Sequence, residues 1–350
     1  MIDQSELEKK VEEGIARIED YLSLGHIYFA EGQYHKLLSL IEKAYSLQLC
    51  VIEKARLLFE KGQALSMIGM PAEAAVCYKV SLNLISTERD SESVLDIRGM
   101  NYYGLFLLSN RQKSGTQYAD KALKAFKRLV EEHPAYDQNA MLYSHIADLH
   151  FRLGASDAAI ESYKQAIKLS TNNTTRMWFL SGLASIYRDN KDYQKADETF
   201  RQALVLAEEK RYLSKLNFEI GLMYFDLNKQ KEALAAFAKA LEYKEHDPLL
   251  KDDRDYLADI TWHLGVLEYS TGNYDEAIKH LTRTLQILDK KSGYYCNAYL
   301  TIGHSFLGKG LHGKAREYYM KILESPDATA EEKGEARDAL NKIGTPLGRA

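Results

Sequence analysis

The feature that most constrains this chain is a spaced pattern of small and aromatic residues that recurs along its length. A small residue is followed three positions later by an aromatic or aliphatic one. After a gap come Ala, an aromatic four beyond it and a small residue three beyond that. The clearest copy runs Leu180, Leu183, Ala184, Tyr187, then Tyr193, Ala196, Phe200, Ala203. Others run Ile220, Gly221, Tyr224, Ala233, Phe237, Ala240, and Leu264, Gly265, Gly272, Tyr274, Ala277, Leu281, and Ile302, Gly303, Phe306, Gly310, Ala315, Tyr319, Ile322. Looser copies contain Gly25 with Tyr28, Leu37 and Ile41; Gly62 with Ala74 and Tyr78; Gly104 with Ala122 and Phe126; and Ala147 with Ala159 and Tyr163. That makes eight units.

The spacing has a direct physical reading. Ala, an aromatic at +4 and a small residue at +7 share one helical face. The glycines between the two halves of a unit (Gly32, Gly69, Gly154, Gly272, Gly310) suit a left-handed C-cap that ends the first helix. Each unit is then a helical hairpin that cannot bury its own apolar face, and stacked neighbours bury it instead. With only 5 prolines in 350 residues, the helices can run uninterrupted.

The pattern resembles the tetratricopeptide repeat, W-x2-L-G-x2-Y followed by A-x3-F and a small residue, over residues 15 to 325. The resemblance implies an all-α fold: an α-solenoid, a right-handed superhelix of antiparallel helical hairpins filling residues 1–350. Residues 1–18 are expected to form an N-terminal helix, 19–325 the eight repeats, and 328–342 a polar capping helix. The steps between the small residues are 37, 42, 43, 37, 37, 44 and 38, longer than the usual repeat of about 34. Longer helices or longer inter-unit loops must absorb the excess, and its loop part is expected at 86–96, 110–119, 131–139 and 244–255. Expanded units of this kind are similar to those of peptide-pheromone sensors of Gram-positive bacteria and of kinesin light chains. Glu268 stands where the pattern has an aromatic, and Leu37 where it has Ala.

Composition narrows the function classes. Net charge is −4 and the pI near 6.2, against the concentrated basic surface that nucleic acid requires, so no nucleic acid partner is expected. No apolar run is long enough for membrane insertion, and the charged start lacks the pattern of a signal peptide. Cys50, Cys77 and Cys296 are far apart, so free thiols in a reducing, cytoplasmic compartment are expected rather than a disulfide framework or zinc site. No nucleotide-binding, metalloprotease or nucleophile-elbow motif occurs, and the expectation is a protein that is not an enzyme, with no cofactor and no metal.

On the first helix of each tetratricopeptide unit, a second stripe lies about 120° round from the packing face. The family resemblance implies that this stripe lines the concave groove where ligands bind. It would carry Arg56 and Phe59 in the second unit, Arg98 and Asn101 in the third, and Asp148 with Arg152 in the fourth. The fifth would supply Trp178, Ser181 and Arg188, the sixth Lys215 and Phe218, and the seventh Trp262 and Tyr269. Aromatics and arginines of this kind suit capture of an extended peptide or amphipathic helix. Aromatics at helical spacing also signify internal packing, and both readings stand at this point. The Lys/Asn carboxylate clamp by which some family members grip chaperone tails is missing, with Asn101 isolated. The leading expectation is a noncatalytic scaffold or adaptor for a protein or peptide, with a homo-oligomer compatible. The alternatives are a peptide-sensing regulator that changes superhelix pitch, for which repeats starting near residue 15 leave no separate effector bundle, and an aspartyl-phosphate phosphatase.

Overall fold

A computed structural model describes residues 3–109, 113–247, 250, 253–288 and 294–344. These form eighteen helices and no strand among the described residues. The chain divides into two compact units, Met1–Ile186 and Tyr187–Ala350.

The first unit opens with α1 (Gln4–Glu12). Four antiparallel hairpins follow: α2 (Ile18–Ala30) with α3 (Tyr34–Ala44), α4 (Val51–Met67) with α5 (Pro71–Leu84), α6 (Glu92–Leu108) with α7 (Lys113–Glu132), and α8 (Asn139–Arg152) with α9 (Ser156–Leu169). The boundary falls within α10 (Asn173–Asp189). The second unit continues through α11 (Tyr193–Leu206) to three hairpins: α12 (Lys210–Asp226) with α13 (Gln230–Glu245), α14 (Arg254–Ser270) with α15 (Tyr274–Ile287), and α16 (Tyr294–Gly308) with α17 (His312–Glu324). It ends in α18 (Ala330–Gly344).

The turns inside the hairpins close as the sequence requires. Gly32, Gly69, Gly154, Gly272 and Gly310 all hold φ between 72° and 82°. Lys191 and Asn228 fill the same left-handed position, at 63° and 55°. In each case the next N–H reaches back five residues, as from Asp192 to the Tyr187 carbonyl at 2.8 Å and from Asn273 to that of Glu268 at 2.8 Å. This is the Schellman closure, which satisfies a carbonyl left over at the helix end.

Between paired helices, the small residue admits the aromatic of its partner. A Cβ built on Gly221 would lie 2.6 Å from Cε1 of Phe237, so only glycine lets that ring reach the α12 backbone. Ala233, Phe237 and Ala240 are fully buried beside it. Leu37, at the expected Ala position, is 1% exposed and packs against Gly25. Glu268, at the expected aromatic, accepts a hydrogen bond from the Asn273 amide at 2.7 Å and steadies its turn.

Three expectations are corrected. Residues 92–96 and 113–119 belong to α6 and α7, and 139, 244–245 and 254–255 to neighbouring helices, so much of the extra length is helix rather than loop. The rest of those loops that falls on 110–112, 248, 249, 251 and 252 lies outside the described residues. The N-terminal segment is not one helix to residue 18: α1 stops at Glu12, Gly14 turns the chain with φ of 70°, and α2 begins at Ile18.

The third correction concerns register. Phe126 of α7 does not rest on Gly104. Its ring lies on Gly99, 2.4 Å from an ideal Cβ there, while Gly104 receives Tyr78 of α5. Between this contact and the turn that joins them, α6 is therefore about one turn longer than α12, and α7 between one and two turns longer than α13.

Candidate partner-binding cleft

The register shift decides what faces the inner side of the first unit. Counting the groove stripe from Gly104 selects Arg98 and Asn101; counting it from Gly99 selects Asp96, Met100 and Tyr103. The structure follows the second count. A cleft of about 460 Å³ is bounded by α2, α4, α6 and α8, the first helices of four successive hairpins, with the segment before α8 closing one side. Phe29, Phe59, Met100 and Tyr136 supply apolar wall, and Arg56, Glu60 and Asp96 the charge.

Each charged group has an identifiable partner. Arg56 Nη2 lies 2.8 Å from Asp96 Oδ2, and the Tyr136 phenol donates to the same carboxylate. Burial pushes the Asp96 carboxyl above the usual carboxylate range, with Arg56 opposing it. Glu60 is 6% exposed, and the exposed imidazole of His26 lies 3.5 Å from it. That carboxylate raises the imidazole's pKa. Further along, the Tyr103 hydroxyl donates to Asp148 at 2.8 Å, and Arg152 Nε donates to the same carboxylate at 2.8 Å.

His145 forms the floor. Its ring stacks on Phe126 at 5.8 Å and lies tilted against Tyr103 at 5.0 Å. Burial holds its pKa down to about 4, against a partial opposing pull from Asp148. The unfolded chain therefore binds a proton at His145 below about pH 6.5 that the folded chain refuses until about pH 4. Stability is expected to fall across that window as pH drops, by roughly 2–3 kcal/mol from this group. His145→Gln should flatten that slope in urea titrations at pH 7.5 and 4.5. His26 acts in the opposite sense in both proteins and cancels from the comparison. An unchanged slope would contradict the assignment.

The other expected stripe residues are dispersed. Arg98 turns away to Asp90. Asn101 is fully buried, donating to Ser81 Oγ at 2.9 Å and the Ile97 carbonyl at 2.7 Å, so it ties α6 to α5. Trp178 of α10 is 44% exposed, and Ser181 is half-buried one turn on. In the second unit, Arg188 pairs with Glu219 at 2.6 Å and with Asp189 at 3.0 Å. Lys215 is exposed. Phe218 packs against Phe237, Tyr256 and His263 within 5.5 Å. Trp262 stacks on Tyr294 at 4.7 Å, and Tyr269 lies against Tyr274 and His304. For Phe218 and Trp262 the packing role is thus explicit. His26, Phe29, Glu60, Asp96 and His145 were not expected in the cleft. The pairing of Gly99 with Phe126 is the signal that could have found Asp96.

Comparisons with known proteins agree with this architecture. Tetratricopeptide repeat family models match residues 119–174, 175–246 and 256–326. The chain is 22% identical over 332 residues to the TPR repeat-containing protein MJ1428 of Methanocaldococcus jannaschii, covering 81% of this chain and 54% of that one. It thus spans about half the length of that relative. Among solved structures, the Cut9–Hcn1 hetero-tetramer of the APC/C is similar with a TM-score of 0.57 at 17% identity, over 93% of this chain and 55% of that one. Yeast Tom70 is similar with a TM-score of 0.54 at 16% identity, over 93% and 59%. At these identities the likeness is one of fold. No helix among the described residues is long and apolar enough to cross a membrane. With the matched models covering more than half of its residues, and with glycines of its paired helices receiving an aromatic or leucine side chain of a neighbouring helix, the chain belongs to the tetratricopeptide repeat family.

Proposed function

We propose that this chain is a noncatalytic scaffold whose first unit holds an extended segment of a partner protein in the cleft between α2, α4, α6 and α8. The observation that carries this reading is the composition of the cleft. A desolvated Arg56–Asp96 pair stands among Phe29, Phe59, Tyr136 and Met100, in a space of about 460 Å³. Recognition sites combine apolar area with a few polar groups in this way, and arginine and aromatic residues dominate binding hot spots. The fold supports the general role, since stacked hairpins present extended surfaces to other proteins. Within the same unit, Trp178 and Ser181 are proposed as secondary contacts. Cys50 is exposed and Cys77 and Cys296 are buried, all three as free thiols, which fits a reducing, cytoplasmic setting.

The test uses peptides selected from a random display library against the folded chain. Gln63 lines the cleft, and Gln63→Trp should fill it. Selected peptides are expected to bind Gln63→Trp at least tenfold more weakly than the unaltered chain, while Met320→Asp, on the exposed face of α17, leaves affinity unchanged. Equal binding by all three proteins would contradict the proposal.

A further inference from the structure

The shift that brings Asp96 into the cleft sends Arg98 elsewhere. Two residues on, it lies about 200° round α6, so it faces a different side of the helix. There a second pocket of about 290 Å³ opens between α6 and α7. Arg98 meets Lys121, Lys124 and Arg128 of α7 in it. Four cations in one small pocket are costly unless an anion joins them, and one does. The Asp90 carboxylate, on the loop before α6, bonds Arg98 through one oxygen and Arg128 through the other. Arg128 also pairs with Glu132 at 2.9 Å. Lys121 lies over the Tyr102 ring at 5.3 Å, and neither it nor Lys124 pairs with a carboxylate among the described residues. Positive charge therefore remains in excess with Asp90 in place.

We propose that this pocket is a binding site for a phosphate monoester, and that Asp90 occupies it as a tethered stand-in that the ligand displaces. The geometry fits the larger anion better than the one present. A carboxylate offers two oxygens and one charge. A phosphate monoester offers three oxygens and close to two charges, enough to engage both guanidinium groups and Lys124 together. Arginine forks suit that planar, multi-point recognition. The stand-in can leave at little structural cost, because Asp90 is not the cap of α6. That role belongs to Ser91, whose Oγ accepts from the Val94 N–H at 3.4 Å. The site rests on residues separate from the cleft, so it stands whether or not the cleft binds a peptide.

Phosphate monoesters come free or attached to a protein, and both enter the test. Isothermal titration calorimetry on the full chain would use inorganic phosphate and a phosphoserine hexapeptide as probes, against the unaltered protein, Asp90→Asn, and Asp90→Asn with Arg128→Gln. Thermal melts would confirm that each is folded, with Asp90→Ser replacing Asp90→Asn if the latter fails. The expected result is at least tenfold tighter binding of one or both probes by Asp90→Asn, lost when Arg128→Gln is added. Preference for inorganic phosphate identifies a small-molecule ligand, and preference for the peptide a phosphorylated partner. No gain on removing the Asp90 charge, a gain that survives Arg128→Gln, or failure of both Asp90 variants to fold would overturn the proposal, the last because Asp90 would then be structural.

Discussion

Arg56→Ala is expected to destabilise the first unit by about 3 kcal/mol at neutral pH and to abolish partner binding in the cleft. Asp96 is 8% exposed and its carboxylate leans on Arg56 at 2.8 Å. Removing the guanidinium leaves a buried charge with only the Tyr136 hydroxyl for support, and that uncompensated charge, rather than the lost pair, sets the cost. The pH dependence separates the two. The Asp96 carboxyl already sits above its ordinary range through burial, and loss of Arg56 raises it further. A carboxyl with a raised folded pKa costs stability only where it is ionised. The penalty should therefore be largest at pH 7.5 and shrink as pH falls towards the unfolded value of about 4. Arg56→Ala combined with Asp96→Asn should recover most of the stability at pH 7.5. Urea unfolding of a Trp262→Phe background, which leaves Trp178 as the one tryptophan and places it in the first unit, would report this. A penalty independent of pH would show that Arg56 acts by packing alone.

Phe237→Ala should have the largest effect in the second unit, about 4 kcal/mol. The ring is fully buried, stacked on His263 at 4.9 Å and beside Phe218 at 5.5 Å. Its neighbour on α12 is Gly221, which has no side chain to relax into the cavity. Gly221→Ala alone should also destabilise, because its Cβ would sit 2.6 Å from the ring. Phe237→Leu with Gly221→Ala should cost less than the sum of the two, since the smaller side chain makes room for the methyl group. Trp262 in a Trp178→Phe background is the reporter. Strict additivity would contradict the described contact.

These two sites illustrate what the sequence made legible. The Gly221–Phe237 pairing is visible as spacing, because a small residue and an aromatic in fixed register are needed wherever two helices approach closely. The hairpins and five of their turns follow from the same logic. The turns at Lys191 and Asn228 are less marked: Asn favours left-handed backbone less strongly than glycine, and Lys carries no such preference. The cleft was half legible. Arg56 and Phe59 were found because Gly62 fixes the register of α4. Asp96 was missed because α6 carries both Gly99 and Gly104, and only the packing of Phe126 and Tyr78 shows which serves which neighbour. Phe218 and Trp262 lie on the expected stripe yet pack against neighbouring rings, a distinction that depends on the next helix and not on their own.

Hydrogen–deuterium exchange of the full chain, with and without a peptide selected against it, tests the central proposal most directly. The cleft is lined from α4 by Arg56, Phe59 and Gln63 and from α6 by Asp96 and Met100. Binding there predicts slowed exchange in these stretches of α4 and α6, with α5 and α7 unchanged. Protection confined to α5, α7 or the second unit would contradict it.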